Sequence, residues 1–206
     1  MDARVAVLAS GTGTNLQAIL DDPVVGPWVK LVVSDRREAQ SLERARARQV
    51  KAAALDPADY QSRPAWDRAL VELLERERIE YVANAGFMRI LGPATVRAFR
   101  DRWLNVHPSL LPAFPGAHAP RDALEWGAKV TGATVHLVDE EVDHGPIVLQ
   151  EVVPILPDDD ERSLHARIQA VEHRLYPRAI RLLAEGRLKV EGRIVHVLDG
   201  DGEGRP

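Results

Sequence analysis

The chain has 206 residues, 45% of them hydrophobic and 28% charged, with a formal net charge of −4. That length supports one substantial core and leaves too little chain for two domains of ordinary size. Cysteine is absent, which excludes disulfide frameworks, thiolate metal sites and cysteine nucleophiles, and the acidic balance provides no general attraction to nucleic acid or anionic lipid.

No stretch approaches the roughly 20 apolar residues of a membrane span. Met1-Asp2-Ala3-Arg4 leads straight into an apolar run without the layout of a signal peptide. The expected setting is therefore cytoplasmic. Of the 27 basic residues only Lys30, Lys51, Lys129 and Lys189 are lysine, which reads as a composition bias that places arginine on exposed helix faces.

Taken in order, Val5 to Leu8 is a buried-strand run, followed by Gly11 to Asn15 and a helix through Leu20. Lys30 to Ser34 repeats the strand signal, Ser41 to Gln49 reads as a helix, and Val50 to Leu55 is a weaker third strand. Ser62 is placed to cap a long helix to about Arg78, with Trp66, Leu70, Leu73 and Leu74 at core-face spacing. Ile79 to Ala83 and Arg102 to Val106 supply two more strands. Continuous apolar strands alternating with helices imply a parallel sheet covered on both faces. The fold class is α/β, doubly wound and mostly parallel.

The second half changes character. Val130 to Asp139 and Ile147 to Ile155 are longer strands close together, which favours antiparallel pairing. A helix from about Asp160 to Glu185 follows, with Pro177 expected to kink it. Leu188 to Val190 and Arg193 to Val197 flank Glu191-Gly192 as a terminal hairpin. The expected organisation is a single domain over 1–198, with halves 1–100 and 101–198, and a flexible charged tail over 199–206.

Three features carry chemistry. Gly11-Thr12-Gly13-Thr14-Asn15 lies between a strand and a helix, where backbone N–H groups form a ready phosphate site. Leu16 replaces the third glycine of the dinucleotide fingerprint, and no Gly-Lys-Ser/Thr follows, so neither that fingerprint nor a P-loop is present. The alternative is a tight turn with Thr14 as helix cap. Asn105 and His107 project from the same side of the fifth strand at its carboxyl end, where open α/β sheets bind ligands. An amide and an imidazole there can polarise a carbonyl and move a proton. Asp143 sits in the turn Asp139-Glu140-Glu141-Val142-Asp143-His144-Gly145-Pro146, whose composition also suits an ordinary surface turn. His118, His136 and His144 lack metal-ligand spacing, so no metal is expected.

Together, Asn105-x-His107-Pro108-Ser109-Leu110-Leu111-Pro112, the following Gly116, and Asp143-x-Gly145-Pro146 resemble the folate-dependent formyltransferases. The opening Gly-x-Gly-Thr-Asn and the run Ala85 to Leu91 are similar to the branch acting on glycinamide ribonucleotide, and the resemblance extends from Val5 to about Leu188. It implies transfer of the formyl group of 10-formyltetrahydrofolate, as co-substrate, to the amine of glycinamide ribonucleotide. It implies small-molecule substrates, no nucleic acid or membrane partner, no metal, and a monomer or homodimer.

The resemblance also implies roles by position. Asn105, His107 and Asp143 match the catalytic trio. Gly11, Thr12, Gly13, Thr14 and Asn15 match the loop that holds the ribonucleotide phosphate, and Gln169 and Glu172 match further ribonucleotide contacts. Arg63, Met88, Arg89, Ile90 and Leu91 match folate-side positions, as do Asn105 and the loop Asp139, Glu140, Glu141, Val142 and Asp143. Thr12 and Thr14 stand where Asn and Ser are also found, Ala119-Pro120 replaces a common hydroxyl residue, and His144 a frequent Gly.

On this reading the amine attacks the formyl carbon, and Asn105 and a cationic His107 donate to the developing oxyanion, each preorganised donor worth roughly 3 kcal/mol. Asp143 either holds His107 in its cationic form or assists proton movement through water; the sequence leaves both duties open. Three rivals differ in expected sequence. A methionyl-tRNA formyltransferase is expected to carry a further C-terminal nucleic-acid-binding domain. A formyltetrahydrofolate hydrolase is expected to carry an extra N-terminal domain and to lack the glycine loop. A non-catalytic binder has no need of the trio, and a formyltransferase with another amine acceptor remains an alternative.

Overall fold

The computed structural model describes residues 2–198, and the predicted tail over 199–206 lies outside the described residues. The chain divides between Leu104 and Asn105 into two compact units.

The first unit is built on the apolar runs. Strand β1 (Val5–Leu8) is buried at every residue, as a strand covered on both faces must be. It pairs in parallel with β2 (Val29–Ser34) on one side and β4 (Tyr81–Asn84) on the other, and β2 pairs in parallel with β3 (Lys51–Ala54). The order is β3-β2-β1-β4. The alternating helices are α1 (Thr14–Asp21), α2 (Gln40–Ala47), α3 (Arg63–Arg76) and α4 (Pro93–Ala98). Short 3₁₀ turns occupy Gly26–Trp28 and Pro57–Asp59.

Ser62 caps α3 as its sequence predicts, its hydroxyl accepting the Ala65 N–H at 3.3 Å. Trp66, Leu70, Leu73 and Leu74 are all buried on one stripe of that helix. The Trp66 indole donates to the Leu55 carbonyl at 2.7 Å and stacks on Phe87 with ring centroids 6.1 Å apart. One buried side chain thus ties α3 to the segment after β3 and to the segment after β4. The short helix α4 has no signal in the apolar spacing, because six residues hold too little periodicity to distinguish it from a turn.

Strand β5 (Trp103–His107) runs across the division. In the second unit it is followed by α5 (Ala119–Glu125), β6 (Val130–Leu137), β7 (Ile147–Pro154), α6 (Glu161–Ala184), β8 (Leu188–Glu191) and β9 (Ile194–Val197). The order is β5-β6-β7-β9-β8. Strands β6 and β7 pair antiparallel over their length, β8 and β9 form the expected hairpin, and β9 joins β7 in parallel at Ile147 and Ile194. Gly132 is required in β6, because a Cβ there would lie 2.1 Å from the Glu151 carbonyl oxygen. Helix α6 opens with a capping box between Asp160 and Ser163 and packs on β6 and β7 through Leu164, Ile168, Val171 and Leu175. It continues through Pro177 to Ala184.

The architecture is the expected α/β fold: parallel pairing in the first unit, antiparallel strands in the C-terminal half. Trp66→Ala should lower stability by about 3–5 kcal/mol, since it removes a large buried ring and leaves the Leu55 carbonyl unpaired. Chemical denaturation measures this, and a loss below about 1 kcal/mol would contradict the anchoring role of Trp66.

Candidate active site

The second unit gathers Asn105, His107 and Asp143 around one carboxylate. Asn105 and His107 leave β5 on the same side. The Asn105 amide nitrogen lies 3.5 Å from Asp143 Oδ1, and His107 Nδ1 lies 3.4 Å from Asp143 Oδ2. The backbone N–H of Gly116 donates to the same Oδ2 at 2.8 Å. The side chains of His107 and Asp143 are 5% and 9% exposed, so these contacts act with little competition from water.

The tautomer of His107 follows from its other partner. Its Nε2 lies 2.8 Å from the Phe114 carbonyl oxygen, which only accepts, so Nε2 carries a proton. Nδ1 is then the nitrogen that faces Asp143. Both ring nitrogens have partners, so the geometry pairs His107 with Asp143 instead of leaving it free to donate to an oxyanion.

The Ser-Leu-Leu-Pro segment is folded by one hydroxyl. Thr134 Oγ1 on β6 donates to the Ser109 carbonyl at 2.6 Å and accepts from the Leu111 N–H at 3.1 Å and the Gln150 amide at 2.9 Å. Ser109 in turn donates to the Ala113 carbonyl at 2.6 Å. The Leu111–Pro112 peptide is cis. This turn delivers the Phe114 carbonyl to His107 and the Gly116 N–H to Asp143. On the other side, Asp143 adopts φ +53, and Gly145 is obligatory because a Cβ would lie 1.8 Å from the Leu137 carbonyl oxygen. Sequence spacing alone did not place Asp143 beside His107; these two turns do.

One member of the cluster escaped the sequence reading. His136 on β6 is buried, with Nε2 3.1 Å from the Asn105 amide nitrogen and 3.8 Å from Asp143 Oδ1. Its Nδ1 donates to the Leu137 carbonyl at 2.9 Å. Burial holds its pKa below the usual imidazole value, against the opposing pull of the Leu137 carbonyl and Asp143. Considered only as a metal ligand, His136 has the wrong spacing. Its strand is buried from Thr131 to Leu137 on both faces, so alternation offered no sign of where it points.

In the first unit, Gly11 to Asn15 form the turn from β1 into α1. Gly13, not Thr14, is the N-cap, in the left-handed conformation at φ 73 and without a side-chain cap bond. A side chain at Gly13 would also lie 3.0 Å from Ser41 Cβ. The turn is held by α2: the Ser41 N–H donates to the Gly11 carbonyl at 3.2 Å and the Arg44 guanidinium to the Thr12 carbonyl at 2.7 Å. The segment after β4 is tied to the same turn, since Ser10 donates its N–H to Gly86 and accepts the Met88 N–H. Met88 and Ile90 are exposed apolar side chains, Leu91 is buried, and Arg89 stacks over the Trp66 ring at 4.7 Å. Arg63 is the first residue of α3, with Nε 3.9 Å from Asp67 Oδ2. A cleft of about 550 Å³ beside α3 and α4 is lined by none of these predicted site residues.

The remaining predicted residues lie in the second unit. Asp139 accepts the Glu141 N–H at 3.0 Å and bonds His144 at 2.7 Å, and Val142 is exposed. Arg193, in the turn of the terminal hairpin, donates to His144 Nε2 at 3.0 Å. Gln169 and Glu172 stand on α6; Glu172 is buried, and its charge adds to burial in pushing the Tyr176 phenol above its usual range. Among the described residues, no three His, Asp or Glu side chains are grouped as a metal ion requires, and no helix is long and apolar enough to cross a membrane.

Three comparisons bear on this geometry. The formyl transferase family model matches residues 3–180. The phosphoribosylglycinamide formyltransferase of Mycobacterium tuberculosis H37Rv is 48% identical over 193 residues, covering 93% of this chain and 89% of that protein. The trifunctional purine biosynthetic protein adenosine-3 of Drosophila pseudoobscura is 47% identical over 191 residues, of which this chain spans only 14% of the length. Among solved structures, glycinamide ribonucleotide transformylase 1 from Symbiobacterium toebii superposes with a TM-score of 0.93 at 54% identity, covering 96% of this chain and 94% of that one.

The lowered pKa of His136 predicts a pH dependence of stability. As pH falls below about 6.5 the unfolded chain protonates this imidazole, whereas the folded chain does so only at lower pH. The folded state therefore loses stability as pH falls through that window, and His136→Gln removes the effect. Urea midpoints measured from about pH 7.5 down to about pH 5 should fall more steeply for the wild type than for the variant; parallel curves would contradict it.

Proposed function

The chain belongs to the formyl transferase family, and from that premise we propose that it transfers the formyl group of 10-formyltetrahydrofolate to the amine of glycinamide ribonucleotide. The products are formylglycinamide ribonucleotide and tetrahydrofolate. The observation that carries this reading is the buried carboxylate of Asp143 with Asn105 and His107 directed at it. The high identity to named phosphoribosylglycinamide formyltransferases, over most of their length, supports the choice of acceptor.

In the reaction the amine nitrogen attacks the formyl carbon, and the bond from that carbon to N10 of the folate breaks. One proton leaves the amine and one reaches N10. Asn105 commits one amide N–H to His136 at 3.1 Å, and its second reaches Asp143 only at 3.5 Å. That weaker contact is the one it exchanges for the developing oxyanion. Asp143 accepts the amine proton and passes it through water to N10 as the carbon–nitrogen bond breaks, with His107 Nδ1 as the partner of its carboxylate. For His107 itself to donate to the oxyanion, Nε2 would have to leave the Phe114 carbonyl.

Gly11 to Asn15 hold the ribonucleotide phosphate through backbone N–H groups at the start of α1, with Gln169 and Glu172 as further ribonucleotide contacts. Arg63, the exposed apolar Met88 and Ile90 with Arg89 and Leu91, and the loop from Asp139 to Asp143 serve the folate. The reaction needs neither a metal nor a covalent enzyme intermediate. We place the protein in the cytoplasm, as a monomer or homodimer acting on small molecules.

Purified protein supplied with both substrates should show the absorbance change of folate deformylation, and only when the ribonucleotide is present. Deformylation without the ribonucleotide would mark a hydrolase. His107→Ala and Asp143→Asn should each lower kcat by roughly 10²-fold or more in folded protein; an unchanged kcat in Asp143→Asn removes its role. Thr14→Asp places a carboxylate beside the phosphate and should raise KM for the ribonucleotide at least about tenfold with KM for the folate little changed.

A further inference from the structure

We propose that His136 is a positioning residue for this reaction: its neutral imidazole fixes which end of the Asn105 amide faces Asp143 and the reacting oxygen. This rests on the transfer chemistry proposed above for Asn105.

An asparagine amide has two ends of nearly equal size, one a donor and one an acceptor, and a half-turn about its last bond exchanges them. Only the NH₂ end stabilises an oxyanion. Asp143 Oδ1 selects that end weakly, at 3.5 Å, and that contact is the one surrendered when the amide engages the formyl oxygen. A second, permanent acceptor is required to keep the amide from turning over at that moment. His136 Nε2, 3.1 Å from the amide nitrogen, is that acceptor.

An imidazole accepts at Nε2 only when its proton sits on Nδ1. The Leu137 carbonyl, 2.9 Å from Nδ1, is an acceptor with no proton of its own, and it enforces that tautomer. The groups that bear on His136 are consistent with a neutral ring. Burial opposes its charge, and the nearby His107 adds to that opposition, whereas Asp143 and Asp139 act the other way. The chain of command therefore runs from a backbone carbonyl, through an imidazole, to the amide. Asn105 and His136 belong to neighbouring strands, β5 and β6, of one sheet, so the ring and the amide are held by backbone that does not depend on loops.

The test combines a tautomer measurement with a kinetic split. Two-bond ¹H–¹⁵N correlation spectra of the wild type should show His136 with Nδ1 protonated and Nε2 bare at neutral pH. A proton on Nε2 overturns the proposal, and this arm needs no activity. His136→Phe keeps a planar ring and removes the acceptor; it should lower kcat roughly 10²-fold while KM for each substrate changes little, as expected when a reacting group is misplaced. His136→Gln presents an amide oxygen near the place of Nε2 and should recover most of that loss. If His136→Phe leaves kcat within a factor of about two, or if Gln fares no better than Phe in folded protein, His136 does not orient the amide. Should the Phe variant fail to fold, the tautomer and the Gln variant decide. A wild type without transferase activity, but with the Nδ1–H tautomer, would count against the proposed reaction and leave the orientation of Asn105 intact.

Discussion

A buried carboxylate must be given donors for both of its oxygens, or its desolvation cost destabilises the fold that contains it. Asp143 satisfies that condition with groups from two stretches of chain. Asn105 and His107 come from β5, and the Gly116 N–H from the turn that follows it. Each is also held from behind. His107 is anchored by the Phe114 carbonyl, and Asn105 by His136. The turn that contains Phe114 and Gly116 hangs on the Thr134 hydroxyl. Removing any one of these supports leaves a polar group of the cluster short of a partner.

Backbone geometry imposes a second constraint. Asp143 occupies the left-handed region at φ +53, which is uncommon for residues other than glycine and in which aspartate is among the better tolerated. Two residues later, Gly145 passes so close to the Leu137 carbonyl that no Cβ fits. The acidic turn is thereby pressed against the end of β6, the strand that also carries His136 and Thr134. In the first unit the turn after β1 obeys the same logic. Gly13 is left-handed and crowded by Ser41, and α2 supplies the donors that hold the Gly11 and Thr12 carbonyls.

The parallel strands and α3 were legible in the sequence because burial on both faces leaves continuous apolar runs and because helix periodicity over fourteen residues is unambiguous. Gly-x-Gly and the Asn105-x-His107 pair were legible because strand ends and alternation fix where such residues point. Resemblance, not spacing, joined Asp143 to them. The distance in sequence is bridged by the Thr134 network and by left-handed residues at Phe114, Gly116 and Asp143, and neither leaves a periodic signal. His136 was missed for a related reason: within a strand buried on both faces, a histidine looks the same whether it fills space or holds an amide. The alternative of a cap at Thr14 falls one residue late: Thr14 has the better capping side chain, but the left-handed backbone angle suits Gly13.

In the proposed reaction the cluster moves one proton and steadies one oxyanion, and each of its polar side chains has a partner in the structure. That is the demand of formyl transfer between two nitrogens, in which charge develops on oxygen and a proton must travel with it. The most direct measurement follows the carbon itself: 10-formyltetrahydrofolate labelled in the formyl group is incubated with the protein and glycinamide ribonucleotide, and the labelled products are separated. Label recovered in formylglycinamide ribonucleotide, in proportion to tetrahydrofolate released, is the predicted result. Label recovered as free formate, at a rate independent of the ribonucleotide, would contradict it.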